Sequence, residues 1–384
     1  MTAATAGRRR GRELSFRLVL VLFVLGVSEA AAALASAILV ERGAMADIPR
    51  LGADEIRFAL ERPSPVLGWG PRTDDAGRAV GLAPRPDPAF AGVRAPCVSV
   101  YGDSFTLGGA DDATYPHHLA VALGCPAANF GVGGYGSDQA VMLFRAQRGL
   151  DRAPVVVLGH LSENVMRNVN QYQRLLYPAS RLRFKPRFLL AGRDLRWVPA
   201  PVESAADYER VAENPAAMLG HDAFLARPRP HFPYCVQLLH WLLTDSYVRA
   251  RLRREPWHAA FYRPDDPSGA LPLTVRILAD FASEARADGR TPLVALIATR
   301  SDLDYARRAG RWAYRPLVDA LRAEGVVTVD TGPPLLERIG AGDLAPFFVA
   351  DGHPSTAGYA LLGAVLAGEI ERLGVARVAR AATA

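Results

Sequence analysis

Cysteine is scarce: a chain of 384 residues holds three, Cys97, Cys125 and Cys235. A disulfide scaffold is therefore excluded, and a packed core must hold the fold together. A basic stripe is also missing. The formal charge is +6, but Arg8, Arg9, Arg10, Arg12 and Arg17 against Glu13 and Glu29 place +3 of it in the first forty residues. The other +3 is spread without clustering, which argues against nucleic-acid binding. There is no internal repeat and no heptad array, so repeat architectures and coiled coils drop out. Metal-ligand spacing is absent as well; His117-His118 falls on a predicted helix with no ligand partner nearby.

What is present is apolar. Half of the residues are hydrophobic, enough for one large domain with elaborations, or for two. Leu18 to Val40 carries a single charge, Glu29, and follows the arginine cluster. That length spans a bilayer, and the flanking arginines predict a cytoplasmic N-terminus (residues 1–17) with the body outside. A cleaved signal peptide ending at Ala35-Ser36-Ala37 is the competing reading. The retained anchor over 18–40 is preferred, because apolar residues continue past that site to Val40. Either reading exports the body, to the periplasm or beyond. Glu29 inside a span is a candidate functional group; the plainer expectation is a protonated side chain or one facing a neighbour.

Residues 41–95 are rich in Pro, Gly, Asp and Arg, and read as a stalk and wrapping segment in which Val66-Leu67-Gly68-Trp69 docks. Strands are then expected at Cys97–Tyr101, Ala127–Phe130, Pro154–Leu158, Pro292–Ala298 and Val326–Asp330. Helical patterns run through Tyr115–Leu123, Ser137–Gly149, Leu273–Asp288, Trp312–Glu324 and Ala357–Leu373. Strands alternating with helices imply an α/β fold with a mostly parallel sheet covered on both faces. The rhythm breaks between about 165 and 270, a stretch thick with Arg, Pro and aromatic residues including Tyr172, Tyr177, Phe184, Trp197, Phe224, Trp241, Trp257 and Tyr262. A gap that long carries its own structure, so a cap insertion is expected beside the site, its aromatics mainly forming a small core. Residues 374–384 form an Ala/Arg-rich tail. Cys97 and Cys125 begin or precede neighbouring strands; two unpaired thiols are the commoner outcome, and export keeps a bridge open.

Four stretches fall at strand ends or loops: Gly102-Asp103-Ser104; Asn129-Phe130-Gly131-Val132-Gly133-Gly134-Tyr135-Gly136; Gly159-His160-Leu161-Ser162-Glu163-Asn164; and Asp351-Gly352-His353-Pro354. Acyl transfer needs this inventory. A serine hydroxyl attacks once a histidine takes its proton, and a carboxylate holds the imidazole in the right tautomer. A glycine-rich turn exposes backbone N–H groups for an oxyanion, and an asparagine amide adds a donor.

In this order, the four blocks resemble the SGNH (GDSL-type) hydrolase family, in its membrane-anchored extracytoplasmic bacterial form. The resemblance covers roughly residues 96–373 apart from the cap. It implies a flavodoxin-like three-layer α/β/α sandwich with a five-stranded sheet. It also implies Ser104 as nucleophile, His353 as base and Asp351 as its orienter, with Ser104, Gly134 and Asn164 as oxyanion donors and no cofactor or metal. Three positions depart from the family pattern. Phe105 follows the serine where leucine is usual. Glu163 and Val165 flank Asn164 where glycine and aspartate are usual. Asp351 and His353 stand two apart and not three; should the turn misaim the carboxylate, a Ser-His dyad remains and Asp351 caps the last helix.

Around this set, Asp103 is expected to brace the nucleophile turn, Asn129 to bond backbone near the second block, and His160 to be a buried, hydrogen-bonded histidine. The run Gly131 to Gly136 also satisfies G-x-G-x-x-G, but on the second βα unit and with no acid at the end of the following strand, which disfavours a dinucleotide site. Thr106 stands where a G-x-S-x-G elbow needs glycine. The resulting expectation is a cofactor-free serine esterase acting on acyl groups of envelope or exported polysaccharide, or on a small ester. The alternatives are an O-acyltransferase to a glycan hydroxyl and a non-catalytic glycan-binding or assembly protein.

Overall fold

The computed structural model describes residues 3–42, 95–109, 112–178, 180–227 and 229–376, with short pieces between 44 and 90. The described chain opens with helix α1 (Ala3–Glu41). Strand β1 (Val98–Gly102) is followed by α2 (Ser104–Leu107) and α3 (Tyr115–Leu123), then β2 (Ala127–Gly131), α4 (Ser137–Gln147) and β3 (Val155–Leu161). An insertion follows β3. It carries α5 (Asn164–Arg167), α6 (Gln173–Leu176), a hairpin of β4 (Arg187–Ala191) with β5 (Asp194–Val198), α7 (Ala205–Glu213), α8 (Pro215–Met218), α9 (Tyr234–Thr244) and α10 (Ser246–Arg253). The rest is α11 (Ala270–Ala287), β6 (Thr291–Ile297), α12 (Arg300–Ala309), α13 (Arg315–Ala323), β7 (Thr328–Asp330), α14 (Gly332–Ile339) and α15 (Thr356–Arg372).

The five core strands are parallel and ordered β2-β1-β3-β6-β7. Counted within the sheet alone this is the flavodoxin-like order, with the first strand beside the switch point where such folds place ligands. Strands β1, β3 and β6 are aliphatic runs because parallel strands are covered on both faces; Val98, Val100, Val155–Leu158 and Leu293–Ile297 are all buried. Helices α3 and α15 pack together in one layer, while α4, α11 and α13 pack together in the other. The three-layer α/β/α architecture is therefore the observed one.

Local chemistry sets the helix ends. Thr114 accepts the His117 N–H (3.0 Å) at the start of α3, which stops at the left-handed Gly124. The expected core elements fall within three residues of the observed bounds, and two observed helices, α12 and α14, are not among those expected. Helix α12 is half charged, and its buried face (Asp302, Leu303, Tyr305 and Ala306) offers only three apolar residues to mark it. Helix α14 begins Gly-Pro-Pro, which reads as a breaker although proline is tolerated in a first turn.

The insertion's aromatics do not form a separate small core: Tyr172, Phe184, Tyr208, Phe224 and Tyr262 join the one core cluster that contains the sheet, with Tyr172 stacked on Phe184 at 4.6 Å, while Trp241 is buried outside that cluster. Trp197 is exposed. Most of the 41–95 segment lies outside the described residues, as does the tail beyond 376. The piece at 66–69 does dock: Gln139 Nε2 donates to Leu67 O (2.6 Å), and Tyr135 OH to Trp69 O (2.7 Å).

Along α1, Glu13–Glu41 is long and apolar enough to cross a membrane, with a mean hydropathy of 2.4 in its best window. At the opposite extreme of burial, Cys97 and Cys125 are joined, with Cα atoms 6.1 Å apart. The expectation of two free thiols is thereby corrected: the register that pairs Val98 with Ala127 brings the preceding residues within bonding reach. Closing a loop of 28 residues restricts the unfolded chain. Replacing both cysteines with alanine is expected to lower stability by about 3 kcal/mol, measured by urea unfolding against the oxidised parent.

Candidate active site

The sheet register assembles the site. Gly102 pairs with Gly131 across β1 and β2, and Val132 N–H donates to Gly102 O at 3.0 Å, so the first two blocks leave the sheet side by side. Asp103 Oδ1 accepts the Phe105 N–H (2.9 Å) and caps α2, which puts Ser104 at the first helical position. Asn129 clamps the second block to that turn: its Nδ2 donates to Thr106 O, and its Oδ1 accepts from Gly131 N, both at 2.9 Å. Gly131 has to be glycine, since a Cβ there would stand 2.2 Å from Leu107 N.

His353 reaches this turn from the loop before α15. Its Nε2 lies 2.8 Å from Ser104 Oγ, and its Nδ1 lies 3.0 Å from Asp351 Oδ1. The two-residue spacing works because the chain reverses between Val349 and Gly352, the latter at φ +90°. The same Asp351 oxygen accepts the His353 backbone N–H at 3.0 Å. That N–H and the adjacent imidazole hold the Asp351 carboxyl below the usual carboxylate range. Asp351 is 70% exposed and His353 35% exposed, so solvent screens this pair. With Nδ1–H donating to the carboxylate, the Nε2 lone pair faces the serine hydroxyl. The Phe105 ring, 5.0 Å from the imidazole, backs it.

Gly134 adopts φ +82° in the second block, with Gln173, Arg183 and Trp69 close around it. Trp69 braces that loop, donating from Nε1 to Gly133 O at 3.2 Å. Asn164 is wholly buried at the start of α5. Neither end of its amide finds a hydrogen-bond partner, although it lies near enough to Asp103 to favour that carboxylate.

Arg167, which the motif reading does not single out, joins the first three blocks. Its Nη1 donates to Asp103 Oδ2 (2.9 Å) and Tyr135 O (3.0 Å), and its Nε to Tyr177 OH (3.1 Å). Burial pushes the Asp103 carboxyl up, and Arg167, the Phe105 N–H and Asn164 pull against it. In a sequence so rich in arginine, nothing marks this one. Glu163 has a structural use: Oε1 accepts from Trp257 Nε1 at 3.1 Å and Oε2 from Tyr177 OH at 3.3 Å, so it fastens the insertion to the third block.

Behind Asn164 lies a second buried network. Asp302 accepts from Ser162 Oγ (2.5 Å) and pairs with His258 Nε2 (2.9 Å), while Tyr262 OH donates to Ser162 O (2.6 Å). His160 bonds Ser137 Oγ through Nδ1 (2.7 Å), and burial, with His258 nearby, pushes it down to about 3. It is a neutral, hydrogen-bonded core histidine. Among the described residues no group of His, Cys, Asp or Glu is arranged to hold a metal.

Among solved structures, a lipase/acylhydrolase from Enterococcus faecalis is similar over 71% of this chain and 94% of its own, at 15% identity and a TM-score of 0.34. A GDSL-like lipase from Bacteroides thetaiotaomicron is similar over 74% and 95%, at 13% identity and a TM-score of 0.33. No protein-family model matches the chain, and no curated protein is similar to it. The chemistry therefore rests on the chain's own distances.

The His258–Asp302 pair makes a prediction about pH. Burial works against the His258 charge, but Asp302 outweighs it and holds His258 above its ordinary 6.5. Asp302 is held below its ordinary 3.8, burial opposing and His258 prevailing. The histidine's contribution is fully present below pH 6.5 and fades as pH rises through its higher folded value; the aspartate's fades as pH falls below 3.8. His258→Gln should therefore cost about 3 kcal/mol between those limits and less at pH 9. Urea unfolding of both proteins at pH 5.5 and 9 checks this; an equal loss at both would contradict it.

Proposed function

We propose that the protein is a serine hydrolase of SGNH type that cleaves ester-linked acyl groups, held at the outer face of a membrane by α1. The line from Ser104 Oγ through His353 to Asp351, at 2.8 and 3.0 Å, is the observation that carries this reading. His353 Nε2 takes the serine proton as Oγ attacks the ester carbonyl carbon, and the Asp351 carboxylate stabilises the imidazolium that forms. The carbonyl oxygen becomes an oxyanion facing the Ser104 and Gly134 N–H groups and the Asn164 amide. The buried, unpaired amide of Asn164 suits that role, because an amide without a partner is costly until something fills it. Collapse of the intermediate breaks the C–O bond, and His353 returns its proton to the leaving alcohol. Water, activated by the same imidazole, then releases the acid and restores Ser104.

The substrate class we infer is an acylated glycan of the envelope or an exported polysaccharide, supported by the apolar helix ahead of the domain. A glycan hydroxyl replacing water at the acyl-enzyme would make the same site an O-acyltransferase, and product masses with and without glycan acceptor separate the two.

Wild-type protein is expected to react with a fluorophosphonate probe and to hydrolyse p-nitrophenyl acetate, whereas Ser104→Ala does neither. Asp351→Asn should lower kcat about 10²-fold, the small end of the acid–base range because the carboxylate is exposed. Asn164→Ala should lower it by about 10²–10³. Labelling that survives Ser104→Ala, or its absence from folded wild type, overturns the assignment.

A further inference from the structure

The insertion presents an exposed apolar edge. Helix α9 buries Gln237 and Trp241 on one side. On the other, Val236, Leu239 and Leu243 are exposed, with Phe232 just ahead of the helix. A contiguous apolar surface of this kind marks an interaction site.

Helix α9 packs along α1. The side of α1 that is covered carries small residues, with Ala32 and Ser36 buried, and small residues let two helices approach closely within lipid. Glu29 lies on the same stripe. Its carboxylate accepts from Tyr234 N (2.6 Å) and Cys235 N (3.2 Å), capping the first turn of α9. The one charge in the apolar span is thus satisfied by the insertion.

The length of α1 fixes where that contact sits. Past Arg17, its apolar run extends from Leu18 to Val40, with Leu18 to Leu25, Val27, Leu34 and Ile38 exposed; at 1.5 Å per residue it covers about 35 Å. The hydrocarbon layer is about 30 Å thick. Such a layer takes about 20 of these residues, and from whichever end of the run they are counted Glu29, where α1 meets α9, falls inside it. The first turn of α9 therefore lies at acyl-chain depth. The exposed Arg249, Arg253 and Arg254 follow the helix, and long basic side chains of this kind suit a headgroup layer.

We propose that α9 is a second membrane-embedded element, its Phe232–Val236–Leu239–Leu243 edge seated among the acyl chains of the outer leaflet beside α1, with the α10 arginines on anionic headgroups. This rests on the reading of α1 as a retained anchor. A single crossing helix would let the body swivel on a tether; a second point of insertion fixes the orientation of the Ser104 cleft relative to the bilayer.

The test uses full-length protein with Cys235→Ala, since Cys97 and Cys125 are bonded to each other. One cysteine is added per variant, as Leu20→Cys, Leu239→Cys, Leu243→Cys or Leu150→Cys, all at exposed positions. Each is labelled with bimane and reconstituted into phosphatidylcholine–phosphatidylglycerol vesicles spin-labelled along the acyl chains. Near-ultraviolet circular dichroism matching the parent establishes that each variant is folded. Quenching at 20, 239 and 243 several-fold above that at 150 is the expected result. Quenching at 20 alone overturns the proposal while leaving the anchor in place. No excess quenching at 20 removes the anchor reading, and the proposal with it.

Discussion

The buried ion pair between Asp103 and Arg167 is the constraint on which the rest of the site depends. Asp103 is fully buried, and Arg167 is 11% exposed. Taking two such charges out of water is costly, and the cost is recovered only when every remaining donor and acceptor is used. Here most are: one Asp103 oxygen caps α2 at Phe105, the other meets the guanidinium, and that guanidinium also holds Tyr135 O and Tyr177 OH, with Glu163 Oε2 3.9 Å from its Nη2. The Ser104 turn, the glycine-rich loop and the helix bearing Asn164 are consequently fixed to one rigid point. His353 comes from outside that cluster, on a loop closed by its own backbone bonds to Val349.

This arrangement shows which parts of the fold a sequence can reveal. Val98–Tyr101 and Val155–Leu158 are legible as strands because parallel strands need apolar side chains on both faces, and an unbroken aliphatic run is the result. The four blocks are legible because glycine and proline punctuate strand ends and loops, and because Ser104, Asn129, Asn164 and His353 stand beside them. Arg167 is not legible. Its role depends on a three-dimensional approach to Asp103 from 64 positions away, and no local pattern encodes that. The His258–Asp302 pair, separated by 44 positions, was hidden for the same reason. The bridge between Cys97 and Cys125 was undecidable until the register of β1 and β2 was known.

Glu163 and the close spacing of Asp351 and His353 show how local departures are absorbed. Glu163 ties the insertion to the third block through Trp257 and Tyr177. Asp351 serves the backbone and the ring of His353 with one oxygen, a geometry that a two-residue separation allows because Gly352 takes a positive φ. The insertion thus does three things at once. It buttresses the third loop, sets Gln173 and Arg183 beside Gly134, and places α9 against α1.

The central claim is that Ser104 carries the acyl group through a covalent intermediate. Acid-quenching the enzyme during steady turnover of a slowly deacylating ester, followed by proteolysis and mass spectrometry, tests it most directly. The account predicts an acyl adduct on the peptide spanning Gly102 to Leu107, resolved to Ser104, appearing in a burst before steady state. An adduct on any other residue, or turnover without a covalent species, would contradict it.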